Sequence, residues 1–268
     1  MKQITTHGMH MDKLGLGTWK MKGPECTEAV AHALSIGYRH IDTAEMYGNE
    51  AEVGVALRTV PRADVHVTGK VWYEHLAPDA MDRAIDATLA RLGTDYVDLY
   101  LIHWPAPGMD VPAAIGALRA VLDSGRARAI GVSNFTVSLL NQACALAPIA
   151  CNQVEYHIGL DQTKVLAACH TDGVALAAYS PLAQGRLADN EELAAIAAKH
   201  RATPAQVALK WLLDQDGVCA IPKAMRPQSQ AANLDALRIE LDDTDRAVIA
   251  MLPKGQRFVQ PGWAPAWD

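Results

Sequence analysis

The chain has 268 residues, half of them hydrophobic and 20% charged, a balance that fills a large core and excludes a disordered or fibrous protein. Lys and Arg number 24 against 30 Asp and Glu, a net charge of −6 with no basic block, so nucleic acid is not an expected partner. Five cysteines (Cys26, Cys144, Cys151, Cys169 and Cys219) are odd in number and never spaced as Cys-x-x-Cys, which reads as small core residues in a reducing cytoplasm.

The first eleven residues carry charges and histidines with no apolar run behind them, and no apolar stretch reaches membrane-spanning length. Neither a targeting segment nor a membrane partner is expected. Short apolar runs then recur along the chain and stop at Gly, Asp, His or Pro: 14–18, 38–43, 65–70, 97–103, 128–132, 149–154, 174–179 and 218–222. Between them lie segments of helical spacing, such as Ala80, Ala84, Ile85, Thr88, Leu89 and Leu92. Thr203, Pro204 and Gln206 supply an N-cap, a first-position proline and a capping-box partner for one of these helices.

Eight strands alternating with helices predict an α/β fold, a single (β/α)8 TIM barrel over residues 1–268. An open doubly wound sheet gives similar local patterns, but it usually carries a Gly-x-Gly-x-x-Gly loop after its first strand. Gly15-Leu16-Gly17-Thr18-Trp19-Lys20 puts lysine at the third glycine, and the fingerprint fails. The barrel is favoured, and its active site belongs at the carboxyl ends of the strands.

Four residues fall there: Asp42 on the second strand, Tyr47 in the following loop, Lys70 ending the third and His103 ending the fourth. Asp42 and Lys70, costly to bury alone, are expected to pair, either as a structural salt bridge or in a site. A lysine cation beside a tyrosine favours its anion, and a histidine can orient a substrate oxygen. Such a set suits carbonyl reduction, in which an alkoxide needs a proton. His7, His10, His66 and His75 match no zinc spacing and read as solvated surface groups, and no metal is expected. Cys151 reads as packing and Trp211 as core.

Gly15-Leu16-Gly17-Thr18-Trp19, Ile41-Asp42-Thr43-Ala44 with Tyr47-Gly48-Asn49-Glu50, Lys70-Val71-Trp72, Asp98 through Pro105, Ile130 through Phe135, Asn152-Gln153-Val154-Glu155, Tyr179-Ser180-Pro181-Leu182 and Ile221-Pro222-Lys223 resemble the aldo-keto reductases in order and spacing. Within that family the length and the ending look most like the bacterial 2,5-diketo-D-gluconate reductase branch.

The resemblance implies NADPH-dependent reduction of small aldehydes and ketones, of the 2,5-diketo-D-gluconate or methylglyoxal type, with Tyr47 as general acid, Lys70 and Asp42 tuning it and His103 orienting the substrate. It implies cofactor contacts from Thr18, Ser133, Asn134, Gln153, Tyr179, Ser180, Leu182, Gln184, Ile221, Lys223 and Asn233, with Tyr179 stacked on the nicotinamide. Trp19, Trp72 and Trp104 fall at substrate-lining positions. Residues 256–268, an irregular Pro- and Gly-containing tail, are expected over the pocket, and the family leans to monomers.

The chain departs from the family's pattern after Ile-Pro-Lys, where Ala224, Ser229 and Ala232 replace a hydroxyl residue, an arginine and a glutamate. Arg226 is the expected substitute, leaving NADPH preferred over a weaker NADH. Two other readings stay open: a Schiff-base lyase using Lys70 or Lys223, and a non-catalytic binding subunit resembling the auxiliary subunits of potassium channels.

Overall fold

A computed structural model describes residues 3–268. The chain opens with an antiparallel hairpin, β1 (Gln3–Thr6) and β2 (Met9–Asp12), joined at His7 and Gly8. Both loop residues have positive φ, 44° and 78°, the conformation that lets a two-residue turn follow the twist of its strands. The sequence reading had no element here because the run is too polar. Its alternation carries the signal: Ile4, Met9 and Met11 point inward and cluster with Leu99, Leu101, Ala150, Cys151 and Cys219. The hairpin thereby plugs the amino-terminal end of the barrel.

Eight parallel strands follow in consecutive order: β3 (Leu16–Gly17), β4 (His40–Asp42), β5 (His66–Val71), β6 (Leu99–Ile102), β7 (Ile130–Ser133), β8 (Ile149–Glu155), β9 (Ala175–Tyr179) and β10 (Val218–Ala220). A parallel bridge between Leu14 and Ala220 joins the last strand to the first and closes the barrel. All eight lie within or beside the predicted runs. The Gly15 and Gly17 pair turns out to serve this closure. Gly15 and Gly17 donate to the carbonyls of Ala220 and Pro222, and a Cβ on Gly17 would stand 2.7 Å from the Ile221 oxygen.

The helices cover the outside: α1 (Gly23–Ser35), α2 (Glu50–Leu57), α3 (Pro78–Leu92), α4 (Val111–Asp123), α5 (Val137–Cys144), α6 (Thr163–Thr171), α7 (Glu191–Lys199), α8 (Pro204–Leu213), α9 (Pro227–Asp235) and α10 (Asp243–Met251). Their local signals are those of the sequence. The α8 capping box of Thr203 and Gln206 forms, and α3 runs from a proline to Gly93 in the left-handed conformation. Strand residues alternate, with one irregularity where the β7–β8 register shifts between Ile130 and Gly131. Ile41, Val67, Val71, Tyr100, Ile102 and Val132 face the helices, which leaves Asp42, Thr68, Lys70, Ser133 and Gln153 to the interior.

Cys26, Cys151, Cys169 and Cys219 are buried, and Trp211 packs against the helical core. His66 is a correction to the sequence reading. Far from being solvated, it is buried at the amino-terminal end of β5, edge-on to His40 at 4.9 Å. Thr68 Oγ1 bonds both rings, and the carbonyls of Asp12 and His10 take their Nδ1 atoms. No helix among the described residues is long and apolar enough to cross a membrane.

Candidate active site

The structure brings Asp42, Tyr47, Lys70 and His103 together at the carboxyl ends of the strands. Lys70 is fully buried, and its ammonium spends three protons: on Asp42 Oδ1 at 2.5 Å, on the Thr43 carbonyl at 3.0 Å and on Tyr47 Oη at 3.2 Å. The second oxygen of Asp42 accepts from Gln153 Nε2 at 2.8 Å. Register explains the pairing, because Asp42 and Lys70 occupy inward positions two residues apart in height on adjacent strands. His103 Nδ1 is buried without a partner, and the His103 ring meets the Tyr47 ring edge-on at 5.5 Å.

Charge states follow from burial. Desolvation, with Asp42 adding to it, holds the Tyr47 phenol well above its ordinary pKa. This is opposite to the expectation that Lys70 would make the resting phenol more acidic; the loss of hydration outweighs one cation. Burial also lowers the Lys70 pKa, against the pull of Asp42. His103 is pushed well down by burial and by Lys70, and is neutral. The set is a protonated phenol and a neutral imidazole at one mouth.

Several supports were invisible as functional residues in the sequence. Tyr47 sits on a short 3-10 turn (Glu45–Tyr47) whose ends are pinned: Lys22 donates to the Tyr47 carbonyl, and Glu45 accepts from the Trp72 amide and from His75. Asn49 bonds Thr43 and the carbonyls of Thr18 and Met21. Apart from Thr43, six residues before Asn49, each partner lies 25 or more positions away, so no local pattern announces the cluster. The buried Asn49-Glu50 pair within the motif was the only available hint.

Around the four residues, Trp19 lies 4.9 Å from the Tyr47 ring and Trp72 lies 5.2 Å from His103. Trp104 is reached through Trp263 of the tail, which touches Trp72, Tyr73 and Trp104 at once. Trp19 is 43% exposed and Trp104 only 5%, so the first forms a rim and the second a wall.

The expected cofactor residues divide into groups. Ser133, Asn134 and Gln153 are buried and interlinked: Ser133 donates to the Gln153 carbonyl, Asn134 donates to His103 O and Ser133 Oγ, and Tyr179 donates to Asn134 Oδ1 at 2.8 Å. Thr18 uses its hydroxyl on the Asp42 carbonyl, and Ile221 is held by its backbone to Ala178. Ser180, Ala183 and Gln184 all have positive φ, unusual for residues with a side chain, beside the half-buried Leu182. Lys223 and Arg226 are exposed, and Arg226 occupies the N-cap of α9, where no side chain satisfies the first amides. Asn233, one face in, is buried beside the Tyr38 phenol.

A closed parallel barrel with ionisable residues gathered at the carboxyl ends of its strands is the architecture of a barrel enzyme, and the comparisons give its family. Residues 13–252 match the Aldo/keto reductase family, and the chain belongs to it. Methylglyoxal reductase DkgB of Escherichia coli O157:H7 is 41% identical over 268 aligned residues, 97% of this chain and the whole of that protein. Glyoxal reductase of Bacillus subtilis strain 168 is 42% identical over 257, covering 94% and 92%. A crystal structure named for a proposed 2,5-diketo-D-gluconic acid reductase B superposes with a TM-score of 0.97 at 40% identity, across 100% of this chain and 98% of that one. The chain is an oxidoreductase acting on carbonyl compounds.

Proposed function

We propose that the protein reduces small aldehydes and ketones with NADPH, Tyr47 delivering the proton. One observation carries the reading: Lys70 Nζ lies between Asp42 and Tyr47 Oη, at 2.5 and 3.2 Å, in a fully buried position. A phenol held protonated is a proton donor at neutral pH, and the cation already hydrogen-bonded to it stabilises the phenolate left behind. Neutral His103 orients the carbonyl oxygen toward that proton without competing for it. Gln153 and Thr18 fix Asp42, which keeps Lys70 charged.

A bound reduced nicotinamide would supply the hydride. The chain fits such a group. Tyr179 ends β9 half-exposed with its hydroxyl tied to Asn134, a rigid platform for a planar ring, and Ser133 and Gln153 stand beside it. At the far side, Lys223, Arg226 and the uncapped amides of α9 form a donor set suited to a phosphate, which favours NADPH over a weaker NADH. The tail would cover the pocket through Trp263 and Trp267, in a cytoplasmic monomer.

The lyase reading on Lys70 is disfavoured because all three of its protons are spent, and Lys223, the other candidate, is exposed and outside the buried tetrad. A carrier role without catalysis gives no reason for a buried charged pair aimed at a phenol. Consumption of NADPH on adding methylglyoxal, with the corresponding alcohol formed in equal amount, tests the proposal. Absence of turnover over a panel of small aldehydes with either cofactor overturns it.

A further inference from the structure

The tail carries a cation that the site chemistry above does not use. Glu155, fully buried at the end of β8, accepts the amides of Phe258 and Val259, each at 2.9 Å, and faces His157 Nε2 at 3.3 Å. Those contacts anchor the chain directly after Arg257 and occupy the Glu155 carboxylate. The Asp268 side chain accepts the Val137 amide, and its charge acts on Arg257 without forming an ion pair with it. Arg257 is left lying on the Trp267 ring at 3.8 Å, with no ion pair among the described residues.

Two donors of this stacked pair are orphaned. Arg257 Nη1 and Trp267 Nε1 are both buried, and neither has a hydrogen-bond partner. Buried donors without an acceptor are rare, because each has given up water for nothing. Burial correspondingly lowers the Arg257 pKa, opposed by Tyr179 and then by the charges of Glu155 and Asp268, neither of which pairs with it. Trp267 in turn meets Trp104 at 6.0 Å, and Trp104, Trp263 and Trp72 lead ring by ring to His103. The orphaned donors therefore stand at the outer end of the aromatic wall whose inner end is the catalytic tetrad.

We propose that Arg257 and Trp267 form an oxyanion subsite that recognises a carboxylate on the carbonyl substrate, so that the enzyme favours aldehyde or keto acids over neutral carbonyl compounds of the same size. The proposal rests on the reduction reading for the site where the carbonyl sits. A guanidinium fork beside an indole N–H matches the acceptor geometry of a carboxylate. A phosphate of the cofactor would offer similar oxygens, and the test separates the two sources.

Succinate, which cannot be reduced, is titrated into the full-length protein by calorimetry, and succinic semialdehyde is compared with butanal in steady state. Wild type is expected to bind succinate and to prefer the acid. Arg257→Gln should lose succinate binding and lower the acid-to-neutral ratio of kcat/KM roughly tenfold to a hundredfold, mostly through KM, the worth of one charge-assisted hydrogen bond. Arg257→Lys should restore part of that ratio, and Trp267→Phe should lower it several-fold while keeping the stack. An unchanged ratio in Arg257→Gln overturns the subsite, as does an equal loss of NADPH affinity, which would assign the donors to the cofactor. Succinate binding separates the two readings: retained binding with no carbonyl turnover refutes only the reaction, and turnover without binding refutes only the subsite.

Discussion

Replacing Lys70 with methionine keeps most of the side-chain volume and removes the charge, so its consequences can be worked out on both sides of the ion pair. On the phenol side, Tyr47 loses a donor at 3.2 Å that would stabilise its anion as the proton leaves. A hydrogen bond to a charged group contributes about 1.5–3 kcal/mol, and each 1.36 kcal/mol is a decade in rate, so kcat should fall roughly ten- to 150-fold. On the carboxylate side, Asp42 stays buried with Gln153 as its remaining charge-stabilising side-chain donor. Breaking one partner out of a buried pair costs about 3–5 kcal/mol, a large share of a typical folding free energy. Adding Asp42→Asn to Lys70→Met removes the stranded charge and should recover most of that stability while leaving turnover low. Urea midpoints and the rate of NADPH consumption, measured on both variants, read the two effects separately. Recovery of turnover together with stability in the double variant would confine Lys70 to folding and refute its part in proton transfer.

Tyr47→Phe removes only the transferable proton, and kcat should drop about 100- to 10,000-fold with cofactor affinity nearly intact; half the wild-type rate remaining would remove Tyr47 from the role. Arg226→Ala should raise the KM for NADPH and leave that for NADH nearly untouched, since the 2′-phosphate distinguishes them; equal shifts for both would dismiss the contact. Truncation after Gly255 removes the Trp263 and Trp267 contacts and should alter the ranking of substrates more than the NADPH dissociation constant, a result reversed if the tail served the cofactor. Burial holds His40 and His66 below the ordinary imidazole pKa, so the unfolded chain binds more protons than the folded one below about pH 6.5. Stability should therefore fall as pH drops from about 6.5 toward 5, and His66→Gln should flatten that slope; an unchanged slope would show that the pair does not govern it.

Much of the fold was legible because a parallel barrel strand is buried on both faces and reads as a short apolar run closed by a polar residue. Asp42, Lys70 and His103 stood out for the same reason: ionisable residues at the ends of such runs are expensive unless something meets them. The hairpin at Gln3–Asp12 was not legible, since its apolar residues alternate singly with polar ones and mean something only above an open barrel end. His66 misled for a related reason, because a lone histidine carries no mark of the neighbouring strand that buries it.

The sequence by itself determined the eight barrel strands, the helical spacing between them, the start of the helix at Thr203 and Pro204, and the need of Asp42 and Lys70 for a partner, since propensity, capping and burial cost act over a few residues. Tertiary structure alone decided who those partners are. Gln153 reaches Asp42 across 111 positions, and Glu155 holds Phe258 and Val259 across 103 and 104. It also decided the direction of the Tyr47 pKa, because desolvation depends on every atom that excludes water from the phenol, and no local spacing records that sum.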